Sequence, residues 1–210
     1  MGESMRRAVI VGSAPFSDAS LLAAYLCDDD ELIAADGGQH LVAAMGRTPS
    51  LLVGDFDSSC CPMDVSYECR VLPVQKDDTD VLAAIRIALE NGTRRFLFLG
   101  CLGGRLDHTI ANLFLLRFLY DRGAEGVLVD ETHEITLLGP GVHVLEPRDG
   151  RVLSLLPYGG DAVGVSIEGA LYTLQNARLD TAFPIGVSNA FCGKPITVTI
   201  EDGFLLCILA

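Results

Sequence analysis

The chain has 210 residues, of which 50% are apolar and 20% charged, with 15 Lys+Arg against 28 Asp+Glu and a formal net charge of −13 at pH 7. That composition excludes a disordered chain, and the length suffices for one large or two small domains with cores of their own. No apolar run approaches the roughly 18 residues of a membrane span. The acidic balance argues against a general nucleic-acid or anionic-membrane binder, because both need a basic face.

Taken in chain order, residues 7–11 (RAVIV) read as a buried strand, and a Gly-Ser-Ala-Pro turn follows. A helix is expected over 17–26, capped by Ser17 or Asp18. Strands are expected at 31–35, 51–53 and 70–74, with a helix at 40–45. Residues 77–89 carry apolar side chains at 81, 82, 85 and 89, one face of a helix that Asn91-Gly92 stops. A buried strand at 95–99 (RFLFL), a helix at 106–120 and a strand at 126–129 complete the alternation. Strands alternating with helices predict a mainly parallel sheet covered on both faces, a three-layer α/β domain.

Beyond residue 130 the pattern changes. Turn signals recur at Gly139-Pro140-Gly141, Asp149-Gly150, Gly159-Gly160, Glu168-Gly169 and Asp202-Gly203, between β-rich runs such as ITLL, RVLSLL, AVGVSI, ITVTI and FLLCIL. This predicts a C-terminal β-sandwich or small barrel. The expected domains are 1–132 and 133–210.

Seven cysteines stand at 27, 60, 61, 69, 101, 192 and 207, an odd count without a CxxC pair. The apolar run at 8–11 is too short for a signal peptide, so a reduced cytoplasmic protein is expected. Cys101 and Cys207 lie in apolar runs and read as core. The four histidines have no zinc-site spacing.

In open α/β sheets ligands bind beyond the carboxyl ends of the strands. Four acidic segments fall there: Asp36-Gly37-Gly38, Gly54-Asp55-Phe56-Asp57-Ser58, Lys76-Asp77-Asp78-Thr79-Asp80 and Gly103-Gly104-Arg105-Leu106-Asp107-His108. Carboxylates gathered at one edge repel each other unless a cation is bound. Asp55 and Asp57 can aim two hard oxygen ligands at one Mg²⁺; a solvated Asp-rich turn would read the same. Three acids in four positions at 77–80 exceed what helix capping needs, and Lys76 adds a phosphate-binding cation. Gly103-Gly104 before a helix can present N–H groups to an anion, with Arg105 forking onto phosphate oxygens and Asp107 and His108 orienting Arg105 or contacting nucleotide. There is no GxxxxGK[ST] motif, so this is not a P-loop protein. The combination points to a Mg-nucleotide site.

Taken in order, these segments resemble the thiamine pyrophosphokinase (thiamine diphosphokinase) family. The resemblance continues through Leu137-Leu138-Gly139-Pro140-Gly141, Leu156-Pro157-Tyr158-Gly159, Gly169-Ala170-Leu171-Tyr172-Thr173-Leu174 and Gly186-Val187-Ser188-Asn189-Ala190-Phe191. It implies an ATP-binding catalytic domain, then a β-sandwich that binds thiamine and dimerises. The implied reaction is ATP plus thiamine giving thiamine diphosphate plus AMP, in the cytoplasm, by a homodimer. The metal set implied for Mg²⁺ is Asp36, Asp55, Asp57 and Asp80. Lys76, Asp77, Thr79, Arg105, Asp107 and His108 fall around ATP, with Asp57, Asp77, Asp80 and Arg105 in the catalytic group. Tyr172, Ser188 and Asn189 are expected to contact thiamine from the partner subunit. One departure stands out: family members often read Gly-Leu-Lys before the aromatic, where this chain has Gly169-Ala170-Leu171. Two other readings fit the acidic edge: a diphosphokinase for another hydroxyalkyl heterocycle, and a non-catalytic Mg-nucleotide sensor.

Overall fold

The computed structural model describes residues 6–55, 66–73 and 78–210. The chain divides into two compact units, Met1–Thr132 and His133–Ala210. In the first unit the elements run β1 (Arg7–Val11), α1 (Ala19–Ala23), β2 (Glu31–Ala35), α2 (Gly38–Ala44), β3 (Leu51–Gly54), β4 (Glu68–Val71), α3 (Asp80–Glu90), β5 (Arg95–Leu99), α4 (Leu106–Tyr120) and β6 (Glu125–Val129).

All six strands are parallel, in the order β6-β5-β1-β2-β3-β4. Alternate residues face opposite sides of the sheet. Val9, Val11, Leu97 and Leu99 pack with Leu22 of α1 and with Leu41 and Val42 of α2. On the other face α3 covers β1, β2 and β3. There α4 lies so close that a Cβ on Gly126 would meet Leu119, Phe98 and Leu116 within 3.3 Å. With both faces covered, the central strands are buried almost throughout, which is why their sequences run apolar without alternation. Each fully buried Leu or Ile here contributes about 1.5–3 kcal/mol of burial free energy.

The second unit carries β7 (Glu134–Leu138), β8 (Gly141–Leu145), β9 (Val152–Pro157), β10 (Ala162–Glu168), β11 (Leu174–Leu179), β12 (Asn189–Ala190), β13 (Ile196–Ile200) and β14 (Leu205–Leu209). Its strands pair antiparallel in two groups, β12-β9-β14-β7 and β11-β10-β13-β8. Leu153, Leu155, Leu205 and Cys207 from one group share a core with Val165, Ile167, Ile196 and Val198 from the other. The unit is a β-sandwich.

Some elements differ from expectation. The first helix is five residues rather than ten. Asp18 caps its start by accepting the Ser20 N–H at 2.9 Å, and the Cys27–Asp30 turn ends the segment, with the Asp30 carboxylate accepting the Cys27 N–H at 2.7 Å. The fourth strand sits earlier, at Glu68–Val71. Strands β8, β11 and β12 were not expected. β8 leaves Val142 and Val144 exposed and β11 is polar, so neither carries an inward apolar run. Cys101 and Cys207 are buried as expected; Cys60 and Cys61 lie outside the described residues. Among the described residues no helix is long and apolar enough to cross a membrane.

Candidate active site

β1 is followed in space by β2 on one side and β5 on the other, so the chain changes direction across the sheet between β1 and β5. Such a switch point opens a crevice at the carboxyl edge. The turn after β1 is sewn to β5: the Gly12 N–H donates to Leu99 O and the Ala14 N–H to Gly100 O, both at 2.8 Å. Next to it, α2 begins in close contact with the end of β1. A Cβ on Gly38 would fall 1.9 Å from Val11 O, so only glycine permits this approach.

Asp36 closes β2 with φ of +46°, a left-handed conformation that a short polar side chain tolerates. Its N–H donates to Val53 O at 2.7 Å, which ties the ends of β2 and β3 together. A Cβ on Gly54 would lie 3.3 Å from the Asp36 Cα, and Asp55 follows directly. Asp80 is the first residue of α3, where the helix dipole favours a carboxylate. Thr79 caps that helix by accepting the Leu82 N–H at 3.2 Å. Asp78 is turned away to Arg86 at 2.8 Å.

The β5–α4 loop is held by the helix it starts. Gly103 and Gly104 have φ of +86° and +66°. The Gly103 N–H donates to Thr109 Oγ1 at 3.1 Å, and the buried Asn112 amide donates to Cys101 O at 2.7 Å. A Cβ on Gly104 would meet Pro15 at 2.8 Å, so this loop touches the turn after β1. Arg105 occupies the N-cap of α4 without capping it. Its guanidinium instead forks onto Asp107, Nε to Oδ1 at 3.1 Å and Nη2 to Oδ2 at 2.5 Å. That fork holds the Asp107 carboxyl below its ordinary range and raises Arg105 further. The two side chains are 71% and 65% exposed, so the pair sets orientation and adds little stability. His108 lies beside it, exposed on the first turn.

Asp36, Asp55 and Asp80 supply carboxylate oxygens only, a donor chemistry that fits a hard divalent cation. They are not drawn into one set within 4.8 Å. Among the described residues only Cys27, Asp29 and Asp30 are that close, and Asp30 there is already the partner of Arg7 at 2.6 Å. Asp57, Lys76 and Asp77 lie outside the described residues.

In the second unit the structure brings together Tyr172, Ser188 and Asn189. The Tyr172 N–H donates to Asn189 Oδ1 at 3.0 Å, and Asn189 Nδ2 donates to Tyr172 O at 2.7 Å. Leu171 N–H donates to Ala190 O at 3.0 Å, and Ala170 bridges to Phe191. Ser188 has φ of +61°, and its N–H donates to Ser154 Oγ at 3.1 Å. The Tyr172 ring is left in solvent, the residue being 64% exposed, near the exposed Leu171 in sequence.

The sequence shows the turn after β1 but not its bracing role, and nothing in it singles out Thr109 or Asn112. The available signal was Gly12-Ser13 between a first strand and a first helix, the position of a phosphate-facing turn in open α/β sheets.

The family model described as thiamin pyrophosphokinase, catalytic domain, matches residues 22–128, and that described as thiamin pyrophosphokinase, vitamin B1 binding domain, matches 142–205. The chain belongs to the thiamin pyrophosphokinase family. A thiamine pyrophosphokinase of Bacillus subtilis is 26% identical over 97% of this chain and 98% of its own length. The crystal structure of a Geobacillus thermodenitrificans family protein superposes with a TM-score of 0.84 at 26% identity, covering 97% of both chains. The yeast thiamin pyrophosphokinase has the same fold, with a TM-score of 0.82 at 16% identity over 99% of this chain and 87% of its own. Family membership makes this chain an enzyme that forms thiamine diphosphate.

Proposed function

We propose that the enzyme transfers the diphosphoryl group of ATP to the hydroxyethyl oxygen of thiamine and releases AMP. The observation that carries this reading is the two-part family match, catalytic part first and vitamin-binding part second, over one chain. The first unit, Met1–Thr132, takes ATP, and the second, His133–Ala210, takes thiamine.

In the first unit the nucleotide lies at the carboxyl edge, with its phosphates toward the Gly103-Gly104-Arg105 loop. Arg105 stabilises charge that builds on the transferring group, and Asp107 keeps the guanidinium fork aimed. Thr79, Asp107 and His108 stand at two helix starts where phosphate oxygens are favoured. Lys76 adds a further positive charge in this scheme. Mg²⁺, held by Asp36, Asp55, Asp57 and Asp80, would screen the phosphates and fix their geometry. Asp77 or Asp80 accepts the hydroxyl proton as the oxygen attacks the β-phosphorus. Strong base catalysis is not required in a loose transition state.

In the second unit the exposed Tyr172 ring offers a stacking face for an electron-poor heterocycle. Ser188 and the remaining donor of Asn189 are the polar contacts. Leu171, Phe183, Ile185 and Val187 are also exposed, as are Leu106, Ile110 and Phe114 along α4. Such apolar surface supports a homodimer in which thiamine contacts come from Tyr172 of the partner subunit.

Product analysis tests the reading. With ATP, Mg²⁺ and thiamine, thiamine diphosphate and AMP are expected in equal amounts. ADP with thiamine monophosphate would overturn diphosphoryl transfer. Chelation with EDTA is expected to stop turnover and added Mg²⁺ to restore it.

A further inference from the structure

Glu131 stands two residues beyond β6, at the carboxyl edge of the parallel sheet and outside every motif read from the sequence. Its carboxylate takes three donors from the turn after β1. The N–H groups of Ser17 and Asp18 both reach Oε1 at 2.5 Å, and the Ser17 hydroxyl reaches Oε2 at 2.7 Å. The aim of Glu131 is itself fixed. Asp130 Oδ1 accepts the N–H of Thr132 at 2.7 Å and its hydroxyl at 3.0 Å, so the residues on either side of Glu131 form one tight turn. The N–H of Asp18, then the hydroxyl of Ser17, hold the Glu131 carboxyl below its ordinary range against the opposing charge of Asp18.

The other end of the same segment is fixed by the sheet. Gly12 and Ala14 donate to Leu99 O and Gly100 O, and Pro15 lies against Gly104. Residues 12–18 therefore cross the β1/β5 switch point and brace the loop that carries Arg105. The sheet anchors one end of this segment and Glu131 the other. A freely fraying turn would let Pro15 leave Gly104, and the loop would lose its support.

We infer that Glu131 is a positioning residue for the nucleotide end of the site, acting through Ser17 and Asp18 on the turn that braces the Gly103-Gly104-Arg105 loop. The inference rests on the ATP-dependent reading above. It predicts an effect on ATP and not on thiamine. Glu131→Gln keeps one carbonyl oxygen for the two N–H groups, so it restores most of what Glu131→Ala removes.

The test is steady-state kinetics of the full-length enzyme, varying ATP and thiamine separately, with melting temperatures measured alongside. Glu131→Ala is expected to raise the KM for ATP about tenfold with kcat within about threefold and the KM for thiamine within about twofold, as loss of charge-assisted hydrogen bonds at one subsite would. Glu131→Gln is expected to return the KM for ATP to within about threefold of the parent. An unchanged KM for ATP in Glu131→Ala overturns the inference. So does a parallel loss in kcat and both KM values that follows the melting temperature. Should Glu131→Ala not fold, Ser17→Ala decides, with a rise of about two- to threefold in the KM for ATP expected and no rise overturning it. A parent enzyme that forms no thiamine diphosphate would refute the functional reading instead. ATP affinity by calorimetry, parent against Glu131→Ala, would then still decide the role of Glu131.

Discussion

The Asn189 side chain clasps the backbone of Tyr172 from both directions, Oδ1 accepting its N–H at 3.0 Å and Nδ2 donating to its carbonyl at 2.7 Å. Oδ1 also accepts the Ala190 N–H at 2.9 Å, and the residue is only 8% exposed. The amide thus fixes the loop from which the Tyr172 ring projects. Asn189→Ala leaves two or more backbone groups without partners and is expected to cost about 1–3 kcal/mol in a urea melt. The KM for thiamine should rise along with it. Asn189→Asp keeps the acceptor but turns a carboxylate oxygen onto the Tyr172 carbonyl at a buried position, so at neutral pH its loss should be at least as large as that of the alanine variant. An alanine variant with unchanged stability would show that the clasp is not what holds the loop.

Arg105 and Asp107 face solvent as a bidentate pair. On the role proposed above, a donor aimed at developing charge, Arg105→Ala is expected to lower kcat by about 10²–10³-fold. Melting temperature should move little, since exposed pairs stabilise weakly. Arg105→Lys should recover only part of the rate, because an ammonium cannot fork. A lysine variant with full activity would remove the geometric argument.

Gly38 and Gly46 make a controlled pair at the two ends of α2. A Cβ at Gly38 would fall 1.9 Å from Val11 O, whereas at Gly46, with φ of +69°, nothing lies within 4 Å. Gly46→Ala should cost only its left-handed backbone, about 1–2 kcal/mol. Gly38→Ala must push α2 off the end of β1 and should cost more than about 2 kcal/mol, with weaker ATP binding. Equal costs in denaturant melts would mean that the close approach is not a constraint.

Asp161 takes the Thr181 N–H at 3.0 Å and hydroxyl at 3.2 Å, and pairs with Arg178, Nε to Oδ2 at 2.9 Å. The Thr181 N–H first, then Arg178, hold its carboxyl below the ordinary range. A carboxyl lowered by folding stabilises the native state above its unfolded pKa, and that stabilisation is lost as pH falls through the folded value. Thermal melts from about pH 7 to about pH 3 should therefore steepen for the parent relative to Asp161→Asn. Parallel curves would count against the latch.

Much of this molecule was legible in its residues. The apolar runs RAVIV, ELIAA and RFLFL could only be strands covered on both faces, and each is one. Of the four acidic segments, Asp36 and Asp55 directly follow β2 and β3, while Asp80 and Arg105 stand at the starts of α3 and α4. What escaped reading depends on partners far away in sequence. Glu131 finds Ser17 across 114 residues, and no local pattern announces such a pairing. Asn189 also binds backbone 17 residues away through its amide, a second pairing that no local pattern announces. β8 hid because it leaves Val142 and Val144 exposed, and β11 because its sequence is polar and carries no apolar run. The Ala170-Leu171 departure has a local meaning: Ala170 is buried in a bridge to Phe191, while Leu171 is exposed.

Cys101 lies buried two residues beyond the end of β5, close to the carboxyl edge, where an exposed thiol would invite oxidants and electrophiles. Burial pushes its thiol up to about 12, and that of Cys207 up to about 11. The reactive species is the thiolate, which is then almost absent at neutral pH. The Cys101 sulfur can thus sit beside the Gly103-Gly104-Arg105 loop without itself being open to peroxide or alkylating agents. Among the described residues, chemical attack on the native protein would fall first on the exposed Cys27 and Cys192.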